Sequence, residues 1–202
     1  MFITFEGIDG SGKSTQITCL REHLESKGIK VEVFRDPGGT DVSEEVRKLL
    51  LSPDYTVDAV TELLLFSSAR SQLVAEKVLP TLEDGSVVML DRFYDSTTAY
   101  QGYGRGSVEL DHIHKLNNIA SHGRAPDLTI YMKVSLEEAK ERMAQKEKDR
   151  IEQAGDDFFR KVVAGFDELA RLHERFFTVD ATLPQEQVSR LIWDQVEELF
   201  GH

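Results

Sequence analysis

Phe2-Ile-Thr-Phe-Glu-Gly7-Ile-Asp9-Gly-Ser-Gly12-Lys13-Ser14-Thr15 decides the fold. Its first half is a short β-branched and aromatic run ended by Gly7, the pattern of a buried strand. From Ser14 onward the apolar residues Ile17, Leu20 and Leu24 recur at helical spacing, and Gly28 stops that helix. Between strand and helix, Gly7 to Ser14 matches G-x4-G-K-[S/T]. At average residue usage the pattern arises by chance in about one chain of this length in a hundred. Its place between a strand and a helix is the context that confirms it. Gly7, Gly10 and Gly12 free the backbone, so that successive N–H groups turn inward as an anion nest at a helix N-terminus. Lys13 brings a mobile positive charge to the β- and γ-phosphates, and Ser14 offers a hydroxyl to Mg²⁺. The stretch predicts a site for a nucleoside triphosphate, built from Gly7, Ile8, Asp9, Gly10, Ser11, Gly12, Lys13, Ser14 and Thr15.

Outward from this stretch, strands alternate with helices. Strands are expected at Lys30 to Phe34, Val87 to Leu90, Leu128 to Met132 and Phe176 to Val179. Helices are expected over 42–51, over 60–82 in pieces, and over 109–121, 135–147, 157–175 and 186–200. Such alternation argues for βαβ units: an α/β, P-loop NTPase-type parallel sheet of five strands with helices on both faces. In these sheets ligands bind beyond the carboxyl ends of the strands, so the chemistry is expected just after Phe5, Phe34 and Leu90. The chain of 202 residues is expected to form one domain, 1–202, with a short lid at about 141–155. A chain this long buries roughly 70% of its extended surface and needs no disulfide or metal to fold.

Apolar residues make up 40% and charged residues 30%, an ordinary globular balance. The net charge is −12, which disfavours wrapping duplex nucleic acid but leaves room for a small phosphorylated ligand held by a local group of cations. Cys19 is the single cysteine, so no intrachain disulfide forms, and a reducing, cytoplasmic compartment fits. The first ten residues carry Glu6 and Asp9 without a basic segment and do not read as a signal peptide. No apolar run approaches the ~18 residues of a membrane span. The six histidines show no H-x-x-x-H or H-E-x-x-H spacing, so bound zinc is not expected. Cys19, Trp193 and Phe200 read as packing residues.

The phosphate loop alone leaves a kinase, a GTPase switch and a motor ATPase open. No N-K-x-D base-reading motif is present: Asn117-Asn118 is followed by Ile119. A motor is usually longer, which leaves a small chain with a second substrate pocket. Leu90-Asp91-Arg92-Phe93 closes the third strand. Asp91 at a strand end can hold Mg²⁺ or its water shell, and Arg92 can fork onto phosphate oxygens. A local Asp91–Arg92 ion pair is the plain alternative. Ser96 to Gly106 is rich in hydroxyls, amides and glycines that allow close approach.

With these residues in place the sequence resembles the thymidylate kinases, the bacterial type in particular. The resemblance is carried by Phe5 to Thr15, Arg35-Asp-Pro-Gly-Gly-Thr40, Glu45-Val-Arg47-Lys-Leu-Leu and Leu65-Phe66-Ser-Ser-Ala-Arg70. It continues through Asp91 to Thr97, Tyr100-Gln101-Gly, Pro126 to Tyr131 and Asp149-Arg150-Ile151-Glu152. It implies phosphorylation of dTMP to dTDP by ATP with Mg²⁺, in dTTP biosynthesis, by a cytoplasmic homodimer. It further implies that Phe66 stacks on the thymine ring, that Arg70 donates to a base carbonyl, and that Thr97 and Gln101 read the remaining edge. Tyr100 then packs under the deoxyribose, Arg47 and Arg92 meet the 5′-phosphate, and Asp9 lies near the 3′-hydroxyl and the phosphates. Without the resemblance, Phe66 reads equally well as a core residue and Arg47 as a surface arginine.

Phosphoryl transfer also needs a cation on the moving group. One branch of the family carries an arginine in the phosphate loop; here Gly10 stands there. The lid offers Arg142, Lys146 and Arg150, which share one face if 142–150 is helical. Arg142 is the expected catalytic cation, with Lys146 and Arg150 assisting. A solvated helix pairing with Glu138, Glu141 and Glu147 is the plain alternative. The resemblance departs from the family in two places: Lys146 and Lys148 stand where arginine is common, and Asp36 where glutamate precedes Pro37 more often.

Overall fold

The strand that begins the chain, β1 (Phe2–Glu6), is buried along its whole length. Its side chains therefore sort by the two-residue period of a strand into two cores. Ile3 and Phe5 pack with Met89, Ile17, Leu20 and Leu24, whereas Phe2 packs with Val88, Leu90, Leu73 and Val74. The structure, a computed structural model, describes residues 1–145 and 149–200. The other strands are β2 (Val31–Arg35), β3 (Val87–Asp91), β4 (Leu128–Lys133) and β5 (Phe176–Asp180). They form one sheet in the order β2-β3-β1-β4-β5, and all neighbours are parallel. This is the expected five-stranded parallel sheet. Phe5 lies opposite Asp91, and Glu6 opposite Tyr131, so the phosphate loop leaves the central strand beside the end of β3.

The helices are α1 (Lys13–Ser26), α2 (Asp41–Leu51), α3 (Ala59–Leu73), α4 (Leu79–Glu83), α5 (Tyr94–Thr97), α6 (Leu110–Ala120), α7 (Leu136–Met143), α8 (Asp156–Leu172) and α9 (Gln185–Phe200). α1 and α9 bring Ile17, Leu20, Val188 and Ile192 to the first core; α3 and the π-helical turn Val74–Val78 supply the second. Asp58 caps α3, its side chain accepting from the Val60 and Thr61 N–H groups. The expected break in 60–82 falls at the π-helical turn, and Pro80 opens α4.

Three local expectations fail. No helix is expected from sequence between the strand at Val87 to Leu90 and the helix at 109–121, yet residues 94–105 are helical, with a π-helical run at Thr98–Arg105. Packing against α8 overrides the poor helix propensity of its glycines. A Cβ at Gly104 would come within 2.6 Å of Phe158, and one at Gly165 within 2.8 Å of Tyr103, so the two segments meet at glycine on both sides. α7 ends at Met143, so Arg142 and Arg150 do not share a helical face. Phe200 is 43% exposed rather than core, while Trp193 is half-buried and stacks on His23 with ring centres 4.4 Å apart. Among the described residues no helix is long and apolar enough to cross a membrane.

Candidate active site

The phosphate loop runs from the end of β1 into α1. Gly7 and Gly10 have φ of 135° and 83°, a region open to glycine. Space also requires them: a Cβ at Gly7 would lie 2.7 Å from the Met132 carbonyl, and one at Gly10 2.6 Å from that of Ala139. Lys13 is buried, and its Nζ donates to the carbonyls of Gly7 (3.0 Å) and Ile8 (3.1 Å). Burial, with Arg92 nearby, pulls its ammonium down from 10.5 to about 8. On the outer side of the loop, Gly10, Ser11, Gly12 and Thr15 line a groove of about 320 Å³ with Arg142, Ala181 and Leu183. Arg142 donates to Glu138 (2.9 Å), to the Gly10 carbonyl (3.3 Å) and to the Ala181 carbonyl (2.9 Å), so it lies across this groove.

A second cavity opens on the other side of Asp9. Arg47, Phe66, Arg70, Arg92, Thr97, Tyr100 and Gln101 all line it, together with Asp9, Asp36, Ser96, Asp149 and Ile151. Seven residues taken from three stretches of the sequence thus face one space. Arg92 has a φ of 69°, left-handed for a residue with a side chain. Its guanidinium donates to the Gly7 carbonyl (2.8 Å), Ser96 (3.2 Å) and Asp9 (2.9 Å), and sits 5.1 Å from the centre of the Tyr100 ring. Burial lowers the Arg92 guanidinium, but Asp9, Tyr100 and Asp91 outweigh it and hold it well above its ordinary value. Arg70 is fully buried and held in one orientation. It donates to Asp36 (2.5 Å), Thr97 (2.6 Å), Asn117 (3.2 Å) and the Phe93 carbonyl (3.5 Å). Arg47 donates to the Pro37 carbonyl at 2.9 Å.

Asp91 and Ser14 fit a divalent cation. The Ser14 hydroxyl lies 3.4 Å from one Asp91 carboxylate oxygen, and the other oxygen is buried without a partner. Hard oxygen donors at this spacing suit Mg²⁺. Among the described residues no three His, Cys, Asp or Glu side chains gather to hold a metal by themselves, so phosphate or water oxygens would complete the shell.

A sequence model of the family described as thymidylate kinase matches residues 5–192. A thymidylate kinase of Chlorobaculum parvum is 43% identical, the match covering 98% of this chain and 96% of that protein. One of Thermosipho melanesiensis is 42% identical over the full length of both. The crystal structure of thymidylate kinase from Ehrlichia chaffeensis aligns with a TM-score of 0.80, at 33% identity over 98% of each chain. The chain belongs to the thymidylate kinase family.

In this thymidylate kinase family member Arg142 and Arg150 part company. Arg142 stays on the phosphate-loop side. Arg150 turns toward α2 and α3, where it donates to the Leu50 carbonyl (2.8 Å) and pairs with Glu62 (2.7 Å). The expectation that both assist from one face is corrected: α7 ends before the chain reaches Arg150. Lys146 lies outside the described residues. Glu6, which sequence reading left unassigned, is fully buried at the end of β1. It accepts from the Phe93 N–H (2.8 Å) and the Ser96 hydroxyl (2.6 Å), and so holds the turn that carries Arg92. Burial and the neighbouring Asp95 push its carboxyl up to about 8. An acid inside an apolar strand was the available signal, since such a group must find a donor.

Proposed function

We propose that this chain transfers the γ-phosphoryl group of ATP to dTMP, giving ADP and dTDP. The observation that carries the reading is the second cavity, where Arg47 and Arg92 lie beside an aromatic face, Phe66, and a fixed donor, Arg70, with Asp9 of the phosphate loop on its wall. A nucleotide switch needs no such second phosphate site.

ATP lies along the loop, its phosphates on the N–H nest and its nucleoside in the groove crossed by Arg142. Lys13 exchanges its two carbonyl partners for the β- and γ-phosphates. dTMP enters the second cavity with its base against Phe66 and its 5′-phosphate toward Arg47 and Arg92, which offset the repulsion between two anions. An oxygen of that phosphate forms the new bond to the γ-phosphorus in line, and the bond from the γ-phosphorus to the β–γ bridging oxygen breaks. Arg70 donates to a base carbonyl, Thr97 and Gln101 face the rest of the base edge, and Tyr100 packs under the sugar. Ser14 and Asp91 would hold Mg²⁺, which when bound supplies charge neutralisation on the phosphates. Arg142 is the lid cation assigned to the donor side, within a lid at 141–155 that excludes water. The reading includes a single folded unit, a homodimer and a cytoplasmic location.

The test is ADP release from Mg-ATP with dTMP, dUMP, dCMP, UMP, AMP and thymidine as acceptors. Turnover is expected to favour dTMP. Preference for another acceptor discards the base-reading roles, and no turnover from protein that binds ATP discards the kinase.

A further inference from the structure

Glu62 is an acid in an otherwise apolar run, Glu62-Leu-Leu-Leu-Phe66. It is fully buried, and nothing in the transfer step uses it. Glu62, Phe66 and Arg70 lie four residues apart in turn, so they share one face of α3. Its two oxygens are saturated. Oε1 accepts from Gln101 Nε2 at 3.0 Å and from Arg105 Nε at 3.1 Å. Oε2 accepts from Arg105 Nη2 at 3.1 Å and from Arg150 Nη1 at 2.7 Å. Burial raises the Glu62 carboxyl, but Arg105, Gln101 and Arg150 outweigh it and hold it below the usual range. At neutral pH it is a carboxylate and can only accept.

That fixes its neighbour. A carboxylate cannot donate, so the Gln101 amide meets it through its NH₂ group, and the amide cannot be turned over without losing the bond. The carbonyl oxygen is then the end of the amide left for the second cavity, which Gln101 lines beside Arg70 and Thr97. We propose that Glu62 is a positioning residue that sets the polarity of the Gln101 amide, so that the cavity presents a hydrogen-bond acceptor and selects bases with a ring N–H. Thymine and uracil carry that N–H; cytosine has a bare nitrogen at the same place, which would face the carbonyl lone pairs. Arg70, locked by Asp36, Asn117 and Thr97, supplies the complementary donor. Arg150 is tied to the Leu50 carbonyl, and Arg105 lies 4.5 Å from the centre of the Phe158 ring, so Glu62 is gripped from both sides. The inference rests on the reading of this cavity as the dTMP site.

The test compares wild type and Glu62→Gln for kcat/KM with dTMP and with dCMP, each protein first shown to be folded by thermal unfolding. Glutamine in this place can donate as well as accept, which lets the Gln101 amide turn over. The dTMP-over-dCMP ratio is expected to fall about tenfold, the worth of one hydrogen bond. Arg70 retains the remainder. An unchanged ratio in folded Glu62→Gln overturns the inference and leaves the dTMP reading standing. A wild type with no preference for dTMP overturns that reading, and this inference with it. NMR of the wild type decides the point should the variant not fold. The Gln101 NH₂ protons are expected to stay protected from solvent exchange, as is the ring N–H of bound dTMP that the Gln101 carbonyl accepts from; a ring N–H that exchanges freely in the bound state overturns the inference.

Discussion

Binding of ATP should draw a proton from solvent, by an amount that Lys13 dictates. Before binding, Nζ sits on two carbonyls and titrates at about 8. A triphosphate brings negative charge and returns the ammonium to 10.5 or above. The uptake therefore equals the fraction of Lys13 that is neutral beforehand: about 0.1 at pH 7, about 0.5 at pH 8 and about 0.9 at pH 9. Phosphate groups lose their last proton near about pH 6, so at pH 7 the ligand still carries about 0.1 proton, whose release offsets the uptake there, and the Lys13 signal is read at pH 8 and above. Affinity for ATP should fall with rising pH above 8, by up to about tenfold per unit. Calorimetry in buffers of different ionisation heat reads the uptake directly. Glu6, also at about 8, is removed as a source by Glu6→Gln. Lys13→Arg, charged at all these pH values, should abolish the pH-dependent uptake. Uptake that is flat with pH, or that survives Lys13→Arg, refutes the reasoning. The same shifts act on nucleotide-free stability with opposite signs. Lys13 is depressed in the folded state, so between pH 8 and 10.5 the unfolded chain binds the extra proton and this group's contribution to stability rises with pH. Glu6 is raised, so from pH 4.5 to about 8 the folded chain holds the extra proton, and its contribution is lost as pH rises.

Two further outcomes follow from the second cavity. Asp36→Ala leaves the buried Arg70 guanidinium without its carboxylate, and should cost about 3–5 kcal/mol in urea unfolding; a loss below about 1 kcal/mol would mean that the pair behaves as an exposed one. Phe66→Ala should raise the KM for dTMP, since stacking contributes about 1–3 kcal/mol per base. Steady-state kinetics with unchanged KM would reduce Phe66 to a core side chain.

The parts of this site differ in how far they could be read without coordinates, and the difference follows from how far apart the interacting groups lie in sequence. The phosphate loop was legible because its cradle is one continuous run, in which backbone freedom and charge assign each residue a task. The strands were legible because a central parallel strand is buried on both faces and reads as an unbroken apolar run. Residues 94–105 were not, because Gly104 answers to Phe158 and Val162 on a distant helix and not to its own neighbours. The proposed shared face of Arg142 and Arg150 failed for the same reason: Arg150 finds its partner in Glu62 on α3. Phe66, Arg47 and Gln101 could be assigned only through resemblance, each being ordinary by itself. The two acids that hold other residues in place, Glu6 and Glu62, carried a signal that went unused. Each is an acidic residue inside an apolar run, where a carboxylate is costly unless donors surround it. Such a residue implies donors elsewhere in the chain before any fold is known. Here the donors are the turn that carries Arg92 in one case, and in the other the amide of Gln101 with two arginines. A buried acid in an apolar run is thus a pointer to a residue whose orientation is being fixed, and both residues so indicated line the proposed acceptor cavity.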